Sequence, residues 1–178
     1  MFLPIHTERL ILREVTLDDT SALCSIWSDP EVTKYMNITP FSDKSQAEEM
    51  ISLFNSLSEK KEAVRFAIIE KASGGLLGSC GYNLIDKVNA KTEIGYELSS
   101  RHWGKGYGSE TVSGLVRYAF ESMNMNRIEA RVEAENHNSV KMLEKLSFQY
   151  EGTLREAELS KGRYVDLKMY SKLKGDQG

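Results

Sequence analysis

The stretch Trp103-Gly104-Lys105-Gly106-Tyr107-Gly108-Ser109 concentrates the chemistry of this sequence. Glycine at every second position removes the Cβ atoms that would keep a ligand away from the backbone. Downstream, Tyr107, Thr111, Val112, Leu115, Val116, Ala119, Phe120 and Met123 form one apolar stripe at a helical period. A helix starting at the glycines aims its unpaired N–H groups and the positive end of its dipole at them. Phosphate or pyrophosphate is the natural ligand of such a place. A tight strand-to-helix turn that needs glycine only for its geometry is the other reading. Neither common nucleotide motif fits. A P-loop requires Ser or Thr after its Lys, but Gly106 follows Lys105, and GxGxxG would need glycine where Ser109 stands.

Just upstream, residues 91–99 alternate in the manner of a strand. Thr92, Ile94, Tyr96 and Leu98 face one way, and Glu93, Gly95, Glu97 and Ser99 the other. Glu93 and Glu97 thus share a face about 13 Å apart, too far for both to touch one reacting centre. His6, His102 and His137 are scattered without metal-ligand spacing, so no metal is expected. Cys24 and Cys80 form no CxxC pair and read as two ordinary buried thiols of a reduced protein. Cys80 falls on a strand, away from any helix start that would lower its pKa. No GxSxG or Ser-His-Asp order is present.

The elements that must position these residues follow from periodicity. A strand is expected over 8–14, then a helix capped by Thr16 and ending before Asp29-Pro30. Ser42 or Asp43 opens a second helix. Strands at 64–70 and 76–85 flank the turn Ser73-Gly74-Gly75, and 91–99 follows. After the glycine-rich helix come a strand near 127–134, a helix beginning at Ser139, and strands near 148–158 and 163–173 turned at Lys161-Gly162. The order β-αα-βββ-α-β-α-ββ implies an α/β fold with a mixed sheet covered by helices. One domain over residues 1–178 is expected, with 174–178 as a frayed tail.

With 40% hydrophobic and 28% charged residues the chain can build a core, which excludes a disordered or fibrous class. Its 23 basic residues against 26 acidic ones leave no cationic excess for a nucleic-acid backbone. The first residues lack signal-peptide character, and no apolar run approaches the ~20 residues of a membrane span. A cytoplasmic protein without nucleic-acid or membrane partners is the expectation.

Several segments together resemble the GCN5-related N-acetyltransferases, and within them the RimJ/RimL-type acetyltransferases of ribosomal-protein N-termini. They are Glu93-Ile94-Gly95-Tyr96-Glu97-Leu98, WGKGYGSE, Glu135-Asn136-His137-Asn138-Ser139 and EKLSF…EGTLRE, with TERLILRE near the start and GRYVDLKMY near the end. The resemblance implies the family fold, mostly antiparallel in its central sheet. It implies acetyl-CoA as acetyl donor and an amine acceptor, the favoured one a protein N-terminus. A polyamine, aminoglycoside or amino acid is the alternative acceptor, and a catalytically silent acyl-CoA-binding module the alternative function. A homodimer stays open.

By the same resemblance, the backbone from Gly104 to Ser109 would cradle the pyrophosphate, with Trp103 where relatives carry Arg or Gln. The N–H of Leu98 would stabilise the thioester oxygen, and Asn136 would hold the pantetheine arm. Glu93 matches the position of a catalytic glutamate in relatives, with Glu97 as second choice; a base is needed because an ammonium has no lone pair. Leu143 stands where many relatives carry an acidic tyrosine, so Ser139 becomes the acid candidate, with helix capping as its other reading. Ser147 replaces the glycine usual in that motif.

Overall fold

The structure, a computed structural model, describes residues 1–177. It contains β1 (Ile5–His6), β2 (Leu10–Glu14), α1 (Thr20–Trp27), α2 (Pro30–Thr33), α3 (Lys44–Glu59), β3 (Val64–Glu70), β4 (Leu76–Asp86) and β5 (Lys91–Leu98). Then follow α4 (Tyr107–Glu121), β6 (Arg127–Glu133), α5 (His137–Lys145), β7 (Gln149–Ser160) and β8 (Arg163–Leu173). The strands form one sheet in the order β1-β2-β3-β4-β5-β6-β8-β7. Neighbours are antiparallel except β5 and β6, a parallel pair bridged by α4.

That parallel pair positions the site. Its pairing runs only from Lys91 to Glu93 against Arg127 to Glu129, although β5 continues to Leu98 and β6 to Glu133. Beyond Glu93 the strands therefore part, leaving two facing backbone edges without ladder partners. Helices α4 and α5 cover one face of the sheet, where Val112, Leu115, Phe120 and Leu143 pack with Phe66, Ile68, Ile94 and Leu98. Helices α1 and α3 cover the other, where Leu23, Trp27, Ala47 and Ile51 pack with Ala67. Adjacent β3 residues thus serve opposite layers, as a two-residue period requires.

The expected elements all form, with corrections at their edges. The short β1 is added, pairing Ile5 with Leu12 and His6 with Ile11. Asp29-Pro30 not only ends α1 but opens α2: Asp29 accepts from the Glu31 N–H at 2.9 Å, and Pro30 sits where no N–H is needed. Helix α5 starts at His137 with Asn136 as its cap, so Ser139 lies inside the first turn rather than at its start. Residues Lys174–Gln177 do not fray but form a 3-10 turn, tied by the Lys174 N–H to the Asn126 carbonyl; Gly178 lies outside the described residues. Cys80 is buried but Cys24 is only half-buried, and both are free thiols. Burial pushes the Cys80 thiol pKa well up, which keeps it inert. Among the described residues no helix is long and apolar enough to cross a membrane, and no cluster of metal-ligating side chains occurs.

Candidate active site

The glycine turn presents its backbone to the outside. Gly104 and Gly106 adopt φ of +73° and +82°, and Gly106 caps α4. From Gly104 through Ser109, no backbone N–H finds an acceptor among the described residues, whereas Glu110 N–H returns to the Gly106 carbonyl. Consecutive free donors at the start of a 15-residue helix make an anion cradle.

Arg9, from the loop before β2, holds this turn in place, and the sequence alone did not single it out. Its guanidinium donates to the Lys105 carbonyl at 3.0 Å, pairs with Glu110 at 2.7 Å and lies 4.2 Å over the Tyr107 ring. Glu110 also accepts from the Thr7 hydroxyl at 2.6 Å and the Arg9 N–H at 2.7 Å. Burial alone would raise the Glu110 pKa, but these donors and the Arg9 charge hold it below the usual carboxylate range. Lys105 and Ser109 flank the free N–H groups, and the Tyr107 hydroxyl is turned away to Glu70.

Trp103 links the cradle to β5. Its indole N–H donates to the Leu98 carbonyl at 2.9 Å, a neutral contact at the position where the family pattern has Arg or Gln. Leu98 sits opposite Gly78, and the next residue, Ser99, donates its N–H to the Leu77 carbonyl at 2.8 Å. Successive strand residues point their backbone groups to alternate sides. The Leu98 N–H is thereby turned away from β4 and into the gap between β5 and β6.

On the α5 side of the gap, the Tyr96 hydroxyl lies 3.4 Å from Ser139 Oγ. Tyr96 also reaches the start of α4, where a Cβ on Gly108 would meet its ring at 3.4 Å. Burial raises the Tyr96 pKa, so it remains a neutral phenol near pH 7. Asn136 caps α5, accepting from the Ser139 N–H at 3.3 Å, and its Nδ2 has no protein partner among the described residues. Leu143 is core. Ser147 takes φ of +62° just past α5, the left-handed place its glycine counterpart would occupy.

On the opposite face, the two glutamates of β5 have different fates. Glu97 is buried, with Oε1 accepting from Trp27 Nε1 at 2.9 Å and from Ser79, and Oε2 paired with Arg65. Glu93 keeps contact with solvent, 3.3 Å from Arg131 Nε on β6. Burial pushes its pKa up, more than Arg131 and the Asn83 amide pull it down, and Glu129 and Glu158 add to the rise. Asn83 is the extra residue of a β4 bulge. It accepts from Arg65 at 3.4 Å and lies over Gly95, where a Cβ would stand 2.7 Å from its Nδ2. Sequence spacing hid two more carboxylates. Glu133 ends β6, and Glu158 of β7 lies in the field of both Glu93 and Glu133. Burial raises the Glu133 pKa in the same way.

Residues 9–149 match the family model for the acetyltransferase (GNAT) domain, and the chain belongs to that family of acetyl-CoA-dependent N-acetyltransferases. It is 55% identical over 170 residues to the uncharacterized N-acetyltransferase p20 of Bacillus licheniformis, covering 96% of each chain. It is 35% identical over 174 residues to the uncharacterized N-acetyltransferase YoaA of Bacillus subtilis, covering 98% of each. Among solved structures, RimL, the ribosomal L7/L12 alpha-N-protein acetyltransferase in complex with coenzyme A, superimposes with a TM-score of 0.86. The match covers 96% of this chain and 98% of that one, at 20% identity.

Proposed function

We propose that the chain, acting as one cytoplasmic domain over residues 1–178, moves acetyl from acetyl-CoA to the N-terminal amine of a protein, as RimL's name says of that neighbour. The observation that carries this reading is the parting of β5 and β6, with free donors on one side and carboxylates on the other. The N–H groups from Gly104 to Ser109 take the pyrophosphate, and the free amide of Asn136 takes the pantetheine arm. The amine nitrogen attacks the acetyl carbonyl carbon, and the C–S bond breaks as the amide forms. Charge gathers on the carbonyl oxygen, where the fixed Leu98 N–H lowers the barrier. Ser139, beside Tyr96, relays a proton to the leaving thiolate, donating its own as it takes one from water.

The proton of the incoming ammonium goes to Glu93. Five residues separate Glu93 from Leu98, roughly 16 Å along an extended strand, so the transfer runs through water. Glu97 is unsuited because Trp27, Ser79 and Arg65 occupy both of its oxygens. Glu93→Gln is expected to lower turnover at least about a hundredfold while acetyl-CoA affinity stays constant. In the wild type, kcat/KM rises with pH through a value above the ordinary carboxylate range, since Glu93 must be ionised and burial raises its pKa. Parallel Glu133→Gln and Glu158→Gln variants show whether Glu93 or a neighbouring carboxylate takes the proton. Wild-type turnover in Glu93→Gln removes it from the mechanism.

The same carboxylates favour a second reading, in which a small cationic amine is the acceptor. A panel of peptides, polyamines and aminoglycosides separates the two. Acetyl-CoA binding with no thiol release from any amine would leave a silent binding module.

A further inference from the structure

One side chain ties the segment that follows β5's covering helix α1 to the hairpin that flanks β6. On one side is the end of β5, over which α1 is held by Trp27 and Glu97, with α2 directly following. On the other is β6, whose partner β8 leads back to the β7–β8 turn at Lys161 and Gly162. Lys161 takes φ of +50° in that turn, and its ammonium donates to the Thr33 carbonyl at 2.9 Å, to Lys34 at 3.3 Å and to Met36. Thr33 and Lys34 end α2 and Met36 follows it in the next turn, where the Thr33 carbonyl also accepts from the Met36 N–H at 3.0 Å. Among the described residues, no other hydrogen bond or ion pair joins residues 20–41 to the β7–β8 hairpin. Lys161 also lies in the field of Glu133, at the end of β6.

We infer that Lys161 is a specificity-determining strap: by pinning the β7–β8 turn to the end of α2, it roofs the carboxylate side of the gap so that an amine enters end-on, as an extended chain terminus. The inference rests on the protein N-terminal acceptor proposed above. A lysine in mid-chain would have to pass two flanking backbone segments beneath the strap, whereas a terminus brings one.

Lys161→Met keeps the aliphatic stem and removes the donors; Lys161→Arg keeps donors. Hydrogen exchange is expected to quicken in residues 33–41 and 156–164 together in Lys161→Met, with the rest of the chain unchanged. Two acceptor probes follow: a peptide with a free N-terminus, and the same peptide N-terminally blocked with one internal lysine. The wild type prefers the first. In Lys161→Met the preference falls about tenfold through KM, the loss of roughly one strong contact. Acetyl-CoA affinity is unchanged, and Lys161→Arg retains most of the preference. Unchanged exchange, or an unchanged preference, overturns the strap. If the wild type acetylates neither peptide, the acceptor reading fails separately. The strap is then judged on exchange and on acetyl-CoA hydrolysis without acceptor, which a groove opened to water raises several-fold; no rise overturns it.

Discussion

The two sides of the parted strands are built from different material. In the function proposed above, recognition of the cosubstrate falls to backbone: free N–H groups from Gly104 to Ser109, the Leu98 N–H, and glycines that keep side chains out of the way. Arg9 and Glu110 brace that backbone from behind. On the acceptor side it would fall to side chains, Glu93, Glu133, Glu158, Arg131 and Lys161, carried by three separate strands and one turn. Backbone donors would then serve what an acetyl-CoA-dependent enzyme needs whatever its acceptor, a hold on the pyrophosphate and the thioester. Side chains can be exchanged without disturbing the ladder, so acceptor choice can change while the cosubstrate site stays fixed.

The largest expected effect comes from the charge buried beneath the acceptor side. Arg65→Met takes the cationic partner from the enclosed Glu97 carboxyl and leaves it two neutral donors, Trp27 and Ser79. Removing one partner of a buried pair costs about 3–5 kcal/mol, or roughly 10 °C in Tm for a chain of this size. Thermal and urea melts measure it. A fall under ~1 kcal/mol would mean that water replaces the lost partner, and that the acceptor side does not depend on this pair.

A smaller loss is expected on the cosubstrate side, where strain replaces charge. Gly106→Ala places a Cβ at φ of +82° and 3.3 Å from the Arg9 guanidinium. The left-handed conformation costs about 1–2 kcal/mol for a non-glycine residue, and its relief turns N–H groups out of the cradle. Calorimetric titration should show about tenfold weaker acetyl-CoA binding. Gly104→Ala, with φ of +73° but open space around it, should lose less. Equal losses would assign the effect to φ alone and leave Arg9 without a part in it.

The same contrast explains what the sequence made legible. The cradle is local: glycine spacing and an apolar stripe, within some twenty residues, specify a turn and the helix that charges it. Strand faces were legible too, because alternation places Glu93 and Glu97 together. Their different environments were not, since Trp27, Arg65 and Ser79 come from α1, β3 and β4 and meet Glu97 only through strand register. Asn83 depends on a bulge that no local signal announces, and Glu158 follows another irregularity, between Leu154 and Glu158. Asp29-Pro30 reads as a stop but is also a start, because the pair that ends one helix caps the next.

The smallest effect is expected where the two sides meet. Tyr96 and Ser139 lie on the cosubstrate side but in the proposed reaction would act through side chains, and their 3.4 Å separation is long for a hydroxyl pair. Tyr96→Phe keeps the ring against Gly108 and removes only the hydroxyl. A neutral hydrogen bond contributes about 1 kcal/mol, so kcat should fall several-fold with acetyl-CoA affinity unaltered. Because burial keeps Tyr96 neutral, its loss should not move the pH profile, unlike a change at Glu93. Steady-state rates across pH read both quantities at once. A rate equal to wild type would leave Ser139 to hold its own proton, making Tyr96 a packing residue of the α4 start. A loss as deep as that of Ser139→Ala would mean that the two hydroxyls deliver the proton as a unit.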